Sequence, residues 1–102
     1  MLELRPNCEF CDKDLPPASV EARICTYECT FCATCVDEVL RNVCPNCGGG
    51  FSPRPIRPAT NRVKGVGLPA HPASSNRIHT PHTRDHIEGF AETLRHIPPE
   101  QR

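Results

Sequence analysis

No Trp occurs in the 102 residues, only 5% of the side chains are aromatic, and no apolar run approaches the ~20 residues that a membrane-spanning helix needs. These shortages exclude a transmembrane helix and leave little with which to build an apolar core. The N-terminus, Met1-Leu2-Glu3-Leu4-Arg5-Pro6-Asn7-Cys8, lacks the apolar h-region of a signal peptide, so a reducing cytoplasm is expected. Formal charge is also absent overall, but the zero hides two halves of opposite sign. Residues 1–50 carry four basic and eight acidic side chains (−4), and residues 51–102 carry eight and four (+4).

What the chain does have is cysteine, confined to its first 47 residues as Cys8-x2-Cys11-x13-Cys25-x3-Cys29-x2-Cys32-x2-Cys35-x8-Cys44-x2-Cys47. Domains shorter than roughly 70–80 residues usually need a metal or disulfide staple. In a reducing compartment thiols bind metal more often than they pair. A Cys-x2-Cys turn brings two sulfurs to one tetrahedral ion while backbone N–H groups point at the thiolates, and Cys44-Pro45-Asn46-Cys47-Gly48 has the glycine that relieves such a turn. One such turn is weak evidence, but three of them with a Cys-x3-Cys in one short window supply two complete sets of four ligands. Two structural zinc ions per chain are therefore expected. A closed four-thiolate site leaves no position for substrate, which argues against an enzyme. Filled sites would also make the first half more acidic, a poor match for nucleic acid.

Two or three very short strands are expected, with Arg23 to Phe31 forming a small hairpin. Val36, Val39, Leu40 and Val43 recur at helical intervals, which predicts a short helix from the Cys32/Cys35 turn to before Pro45. Composition changes after Gly48-Gly49-Gly50, where proline and histidine replace cysteine. Residues 59–79 show no apolar period and read as a disordered linker. Thr80-Pro81 reads as an N-cap and N1 pair, and Ile87, Phe90, Ala91, Leu94 and Ile97 repeat at helical spacing until Pro98-Pro99.

The cysteine spacing resembles a RING finger, with Phe31 before the fifth ligand and Pro45 after the seventh. That resemblance implies an interleaved cross-brace, with Cys8, Cys11, Cys32 and Cys35 on one zinc and Cys25, Cys29, Cys44 and Cys47 on the other. Cys29 stands where a RING usually has His. Residues 1–57 as a whole, especially Leu4-Arg5-Pro6-Asn7-Cys8, Glu28-Cys29-Thr30-Phe31-Cys32 and Cys44-Pro45-Asn46-Cys47-Gly48-Gly49, look like the small bacterial cysteine-rich family catalogued as domain of unknown function 1272. This resemblance implies a compact cytosolic metal-binding protein and brings no activity with it.

Two other functions compete. A RING-type ubiquitin-ligase scaffold would use Phe10 and Pro45, but no Trp is present for its groove, and Gly48 replaces the basic residue such ligases commonly carry. Cys29-x2-Cys32-x2-Cys35 with Cys44-Pro45 resembles a ferredoxin ligand run and raises iron–sulfur electron transfer, but the gap of eight residues is wrong and there is no second copy. Asp12, Asp14, Asp37 and Glu38 read as solvated surface, and His79-x2-His82-x3-His86 as a polar helix face, although three imidazoles there could gather on a metal. Arg54, Arg57, Arg62 and Lys64 lack the interleaved aromatics of a nucleic-acid site and suit folding back onto the acidic half.

The expectation is thus a small metal-stabilised α+β protein. It has a RING-like zinc module over 1–57, a flexible linker over 58–80, and an amphipathic helix with its tail over 81–102. It should bind a protein partner and should not bind nucleic acid or span a membrane.

Overall fold

The structure is a computed structural model and describes residues 1–102. It is a small α+β fold on a three-stranded antiparallel sheet of order β2-β1-β3, with β1 at Ala22–Ile24, β2 at Thr30–Cys32 and β3 at Ser52–Pro53. The predicted hairpin is β1 and β2, in the register Ala22↔Cys32, Arg23↔Phe31 and Ile24↔Thr30. Its turn closes with Glu28 in the left-handed region (φ 66) and its N–H on the Cys25 carbonyl (3.1 Å), which sets Cys25 and Cys29 at the two ends of one loop. β3 is an edge strand, where Pro53 costs no interior ladder bond.

β2 runs straight into a helix. Cys32 ends the strand and caps the helix, its sulfur accepting the Cys35 N–H at 3.5 Å. One α-helical turn, α1 (Ala33–Cys35), widens into a π-helical turn over Val36–Leu40. The predicted face is the buried one, with Val36, Val39 and Leu40 inside and Asp37 and Glu38 exposed. Arg41 (φ 53) and Asn42 (φ 60) end it in the left-handed region, and the Asn42 side-chain oxygen then accepts the Phe51 N–H at 2.8 Å. Two successive non-glycine residues in that region are costly, and this hydrogen bond fixes the path from the last ligand turn to β3.

Phe31, Leu15 and Leu40 are the largest side chains buried in the core, and Phe51 meets Phe31 edge-on at 5.5 Å. Of the 13 residues in that core cluster, six are cysteines, so aliphatic and aromatic groups alone make a small interior. The thirteenth member is Ile87, from the far end of the chain.

Ile87 belongs to α2 (Arg84–Leu94), which packs on the π-helical turn with Ile87 and Ala91 buried. The sequence places the cap one turn too early. Thr83, not Thr80, caps α2, its hydroxyl accepting the His86 N–H at 3.2 Å. Thr80 is committed elsewhere, with its N–H on the Glu9 carbonyl (2.7 Å) and its hydroxyl accepting from the His82 N–H in a local turn. The helix correspondingly ends at Leu94, short of Pro98.

Residues 59–79, expected from composition to be a disordered linker, carry no helix or strand but are laid along the module by specific bonds. Arg57 joins the Leu2 and His71 carbonyls (2.6 and 2.7 Å), and the Ser74 N–H reaches the Leu4 carbonyl (3.0 Å). The opposite charges of the two halves meet in one place above all, where Arg77 pairs with Asp12 and Asp14. Arg54 is buried at 4% exposure and donates only to main-chain carbonyls, those of Arg5, Leu15 and Pro16, with its Nε unpartnered. Burial lowers its pKa accordingly.

Candidate metal centre

The four cysteine pairs are carried by four different pieces of chain. Cys8 and Cys11 flank a tight turn closed by Asp12 N–H to the Cys8 carbonyl (2.9 Å), with Asp12 left-handed at φ 65. Cys25 and Cys29 close the hairpin, Cys32 and Cys35 start the helix, and Cys44 and Cys47 close a turn with Gly48 N–H on the Cys44 carbonyl (2.8 Å).

Folding brings the first pair to the third. The sulfurs of Cys8, Cys11, Cys32 and Cys35 all lie within 4.8 Å of one another, and those of Cys25, Cys44 and Cys47 do the same. Every donor in both groups is sulfur, and each group could hold a metal ion. Cys29, the remaining predicted ligand, sits beside Cys25 and Cys44 but outside the 4.8 Å set, its sulfur accepting from Asn46 Nδ2 at 3.4 Å. Main-chain N–H groups point at the sulfurs as expected, from Tyr27 to Cys25 (3.3 Å) and from Gly49 to Cys47 (3.4 Å).

The electrostatics suit a cation. Hydrogen bonding from Cys44, followed by that from Asn46, brings the Cys29 thiol down to about 5. Cys44 is pushed up by the same contact and then by burial, and burial pushes Cys25 up to about 11. In the other group burial raises Cys8 and Cys35, while at Cys11 the Lys13 N–H and the neighbouring thiols outweigh burial and lower it. Confinement thus drives neighbouring thiols apart in acidity, Cys29 and Cys11 downward and Cys25, Cys44, Cys8 and Cys35 upward, a conflict between crowded sulfurs. A divalent ion removes that conflict, because all ligands can then be thiolates at once.

The protein family described as "Protein of unknown function (DUF1272)" matches residues 1–57, which contain all eight cysteines. The chain belongs to this family. A curated relative, an uncharacterized protein of Rhizobium meliloti (strain 1021), is 54% identical over 81 residues, covering 79% of this chain and 89% of its own length. That likeness extends past the family segment into the tail. No solved structure matches the chain.

Several residues around the thiols escaped the sequence reading. Glu9 is buried beside Cys8 and accepts from the Thr30 N–H (2.6 Å) and from Arg5 (2.8 Å), yet burial still raises its carboxyl pKa. Asn46 holds Cys29 with its amide nitrogen while its oxygen meets His82 Nε2 at 3.2 Å. The tail histidines do not gather as a triad. His82 and His86 stack at 5.0 Å, and His79 Nδ1 lies 3.2 Å from the Glu9 carbonyl. Nothing in a spacing pattern marks single polar residues of this kind.

A chain ending at residue 57 tests how far the family segment stands alone. Losing α2 removes one large buried side chain, Ile87, an effect of about 2–5 kcal/mol by analogy with core truncations. A structural zinc site contributes about 10–16 kcal/mol, so the shortened chain should keep both ions and its amide-exchange protection while melting at lower temperature. Loss of metal on truncation would make α2 part of the minimal fold.

Proposed function

We propose that this protein is a zinc-stabilised interaction module, with one ion on Cys8, Cys11, Cys32 and Cys35 and a second on Cys25, Cys29, Cys44 and Cys47. The observation that supports this reading is the interleaving of seven of the eight cysteines into two all-sulfur groups, Cys8, Cys11, Cys32 and Cys35 in one and Cys25, Cys44 and Cys47 in the other, with Cys29 beside the second. All-thiolate tetrahedral sites favour zinc or iron–sulfur chemistry, and closed sites favour a structural role. The interleaving supports a RING-like cross-brace. It does not support ligase activity, because Gly48 stands where such ligases commonly carry a basic residue, and a Cβ built there would lie 3.3 Å from Leu94 Cδ1 and 3.7 Å from Phe90 Cζ of the chain itself. We therefore assign no catalytic step, and the role left to the folded surface is to bind a protein partner. All eight cysteines are free thiols and no helix is long and apolar enough to cross a membrane, which is compatible with a cytoplasmic place of work.

Elemental analysis of the purified protein with its visible spectrum tests the metal assignment. Two zinc ions per colourless chain are expected. A brown protein with bound iron and sulfide would replace this reading with electron transfer.

A further inference from the structure

We propose that two tail arginines outside the family segment, Arg77 and Arg102, are positioning residues for the two metal sites, each holding one ligand turn closed. This inference rests on the metal-binding reading above. Each arginine grips the backbone just beyond a Cys-x2-Cys turn, and each serves a different cluster.

Arg77 acts at the Cys8/Cys11 turn. Its NH2 donates to the Asp12 carbonyl (2.8 Å) and to Asp12 Oδ1 (2.9 Å), its Nε also meets Oδ1 (3.2 Å), and its NH1 reaches Asp14 Oδ1 (2.7 Å). Asp12 is the left-handed residue that lets the chain reverse immediately after Cys11. The neighbouring Asn7, buried to 1% exposure, donates to Asp12 Oδ1 (3.0 Å) and to the Ile78 carbonyl (2.9 Å), so tail and turn are stitched at two adjacent points. An isolated exposed ion pair contributes little, but a fork spread over two carboxylates and a carbonyl is the network geometry that does.

Arg102 acts at the Cys44/Cys47 turn. Its NH1 donates to the Asn42 carbonyl (2.7 Å) and the Gly48 carbonyl (3.1 Å), the residues that bracket the turn on either side, and its Nε is anchored on the Ile97 carbonyl (3.0 Å). Gly48 is left-handed (φ +78), and a Cβ built there would lie 3.3 Å from Leu94 Cδ1 and 3.7 Å from Phe90 Cζ. The tail thus covers this turn with apolar atoms and fastens both its ends with one guanidinium.

Metal leaves a thiolate site when a ligand turn opens, and such local opening is governed by the bonds that hold that turn rather than by global stability. Loss of either arginine should therefore raise escape from its own cluster only. The test uses the full-length, metal-loaded protein with Arg77→Ala and Arg102→Ala. Zinc per chain is counted first, and each protein is then given a short pulse of N-ethylmaleimide with a zinc chelator. Peptide mass mapping reads which cysteines have reacted.

Arg77→Ala should speed labelling of Cys8, Cys11, Cys32 and Cys35 by roughly three- to tenfold and leave the other four unchanged, and Arg102→Ala should do the reverse. Arg77→Lys and Arg102→Lys should each restore only part of the protection, because a lysine cannot span two acceptors with a planar fork. Equal acceleration at all eight cysteines, or no change in either alanine variant, would overturn the assignment even with two zinc ions counted. A chain that carries no metal at the counting step would overturn the metal reading itself.

Discussion

Chelating both metal ions is expected to unfold the chain in one cooperative step, and returning zinc should refold it. The reason lies in what the core is made of. Six of its 13 members are cysteines, and the aliphatic and aromatic remainder amounts to Leu15, Ala22, Phe31, Val36, Val39, Leu40 and Ile87. Fully burying one large apolar side chain contributes about 1.5–3 kcal/mol, while fixing each residue's backbone costs about 1–2 kcal/mol, so a core of this size cannot order the sheet by itself. Two structural metal sites at about 10–16 kcal/mol each supply more than the typical 5–15 kcal/mol by which a folded protein exceeds its unfolded state. Far-UV circular dichroism and amide exchange before and after chelation measure this directly. Retained protection in β1 and β2 without metal would show that the apolar packing suffices. Acid should act in the same direction as the chelator: the metal-bound fold holds its ligands as thiolates and the unfolded chain binds protons there, so stability falls as pH falls.

The second large effect follows from the crossed pairing of the cysteine groups. Cys11→Ser and Cys35→Ser should each lose one ion, and the double variant little more than either alone, because both thiols belong to one cluster. Cys11→Ser combined with Cys47→Ser should strip both ions and the fold with them. Zinc per chain is the readout. If Cys11→Ser and Cys25→Ser proved to remove the same ion, the sites would be sequential and the interleaved ligand sets wrong.

Ligand chemistry and local elements were the legible part of the sequence. Cysteine spacing points to two sets of four, and the interval of Val36, Val39, Leu40 and Val43 marks a face that is buried in the structure. Periodicity speaks for a face that repeats, and it is silent about a contact made once. Arg54, Arg77 and Arg102 each act through a single guanidinium on main-chain carbonyls or carboxylates far away in sequence, and a proline-rich stretch offers no period from which to read them. The α2 cap failed for a related reason. Thr80-Pro81 has the right local chemistry, but the Glu9 carbonyl takes the Thr80 N–H and tertiary docking overrides the local preference. Cys29 is the partial case, beside its cluster but outside the closest set, and its contact with the Asn46 amide is one that no spacing reveals.

The buried guanidinium of Arg54 gives the order of synthesis a meaning. It bolts the chain leaving the cysteine module to the carbonyls of Arg5, Leu15 and Pro16 near its beginning. A nascent chain emerges from its N-terminus, so Cys8 and Cys11 reach solvent long before Cys32 and Cys35 can join them, and the closing bolt arrives after the last ligand. Until residue 54 is clear of the ribosome, the contacts that close the cysteine module cannot all form. On the proposed metal-binding reading, the newborn chain therefore offers unshielded thiols to oxidants and to competing metals until that bolt is in place.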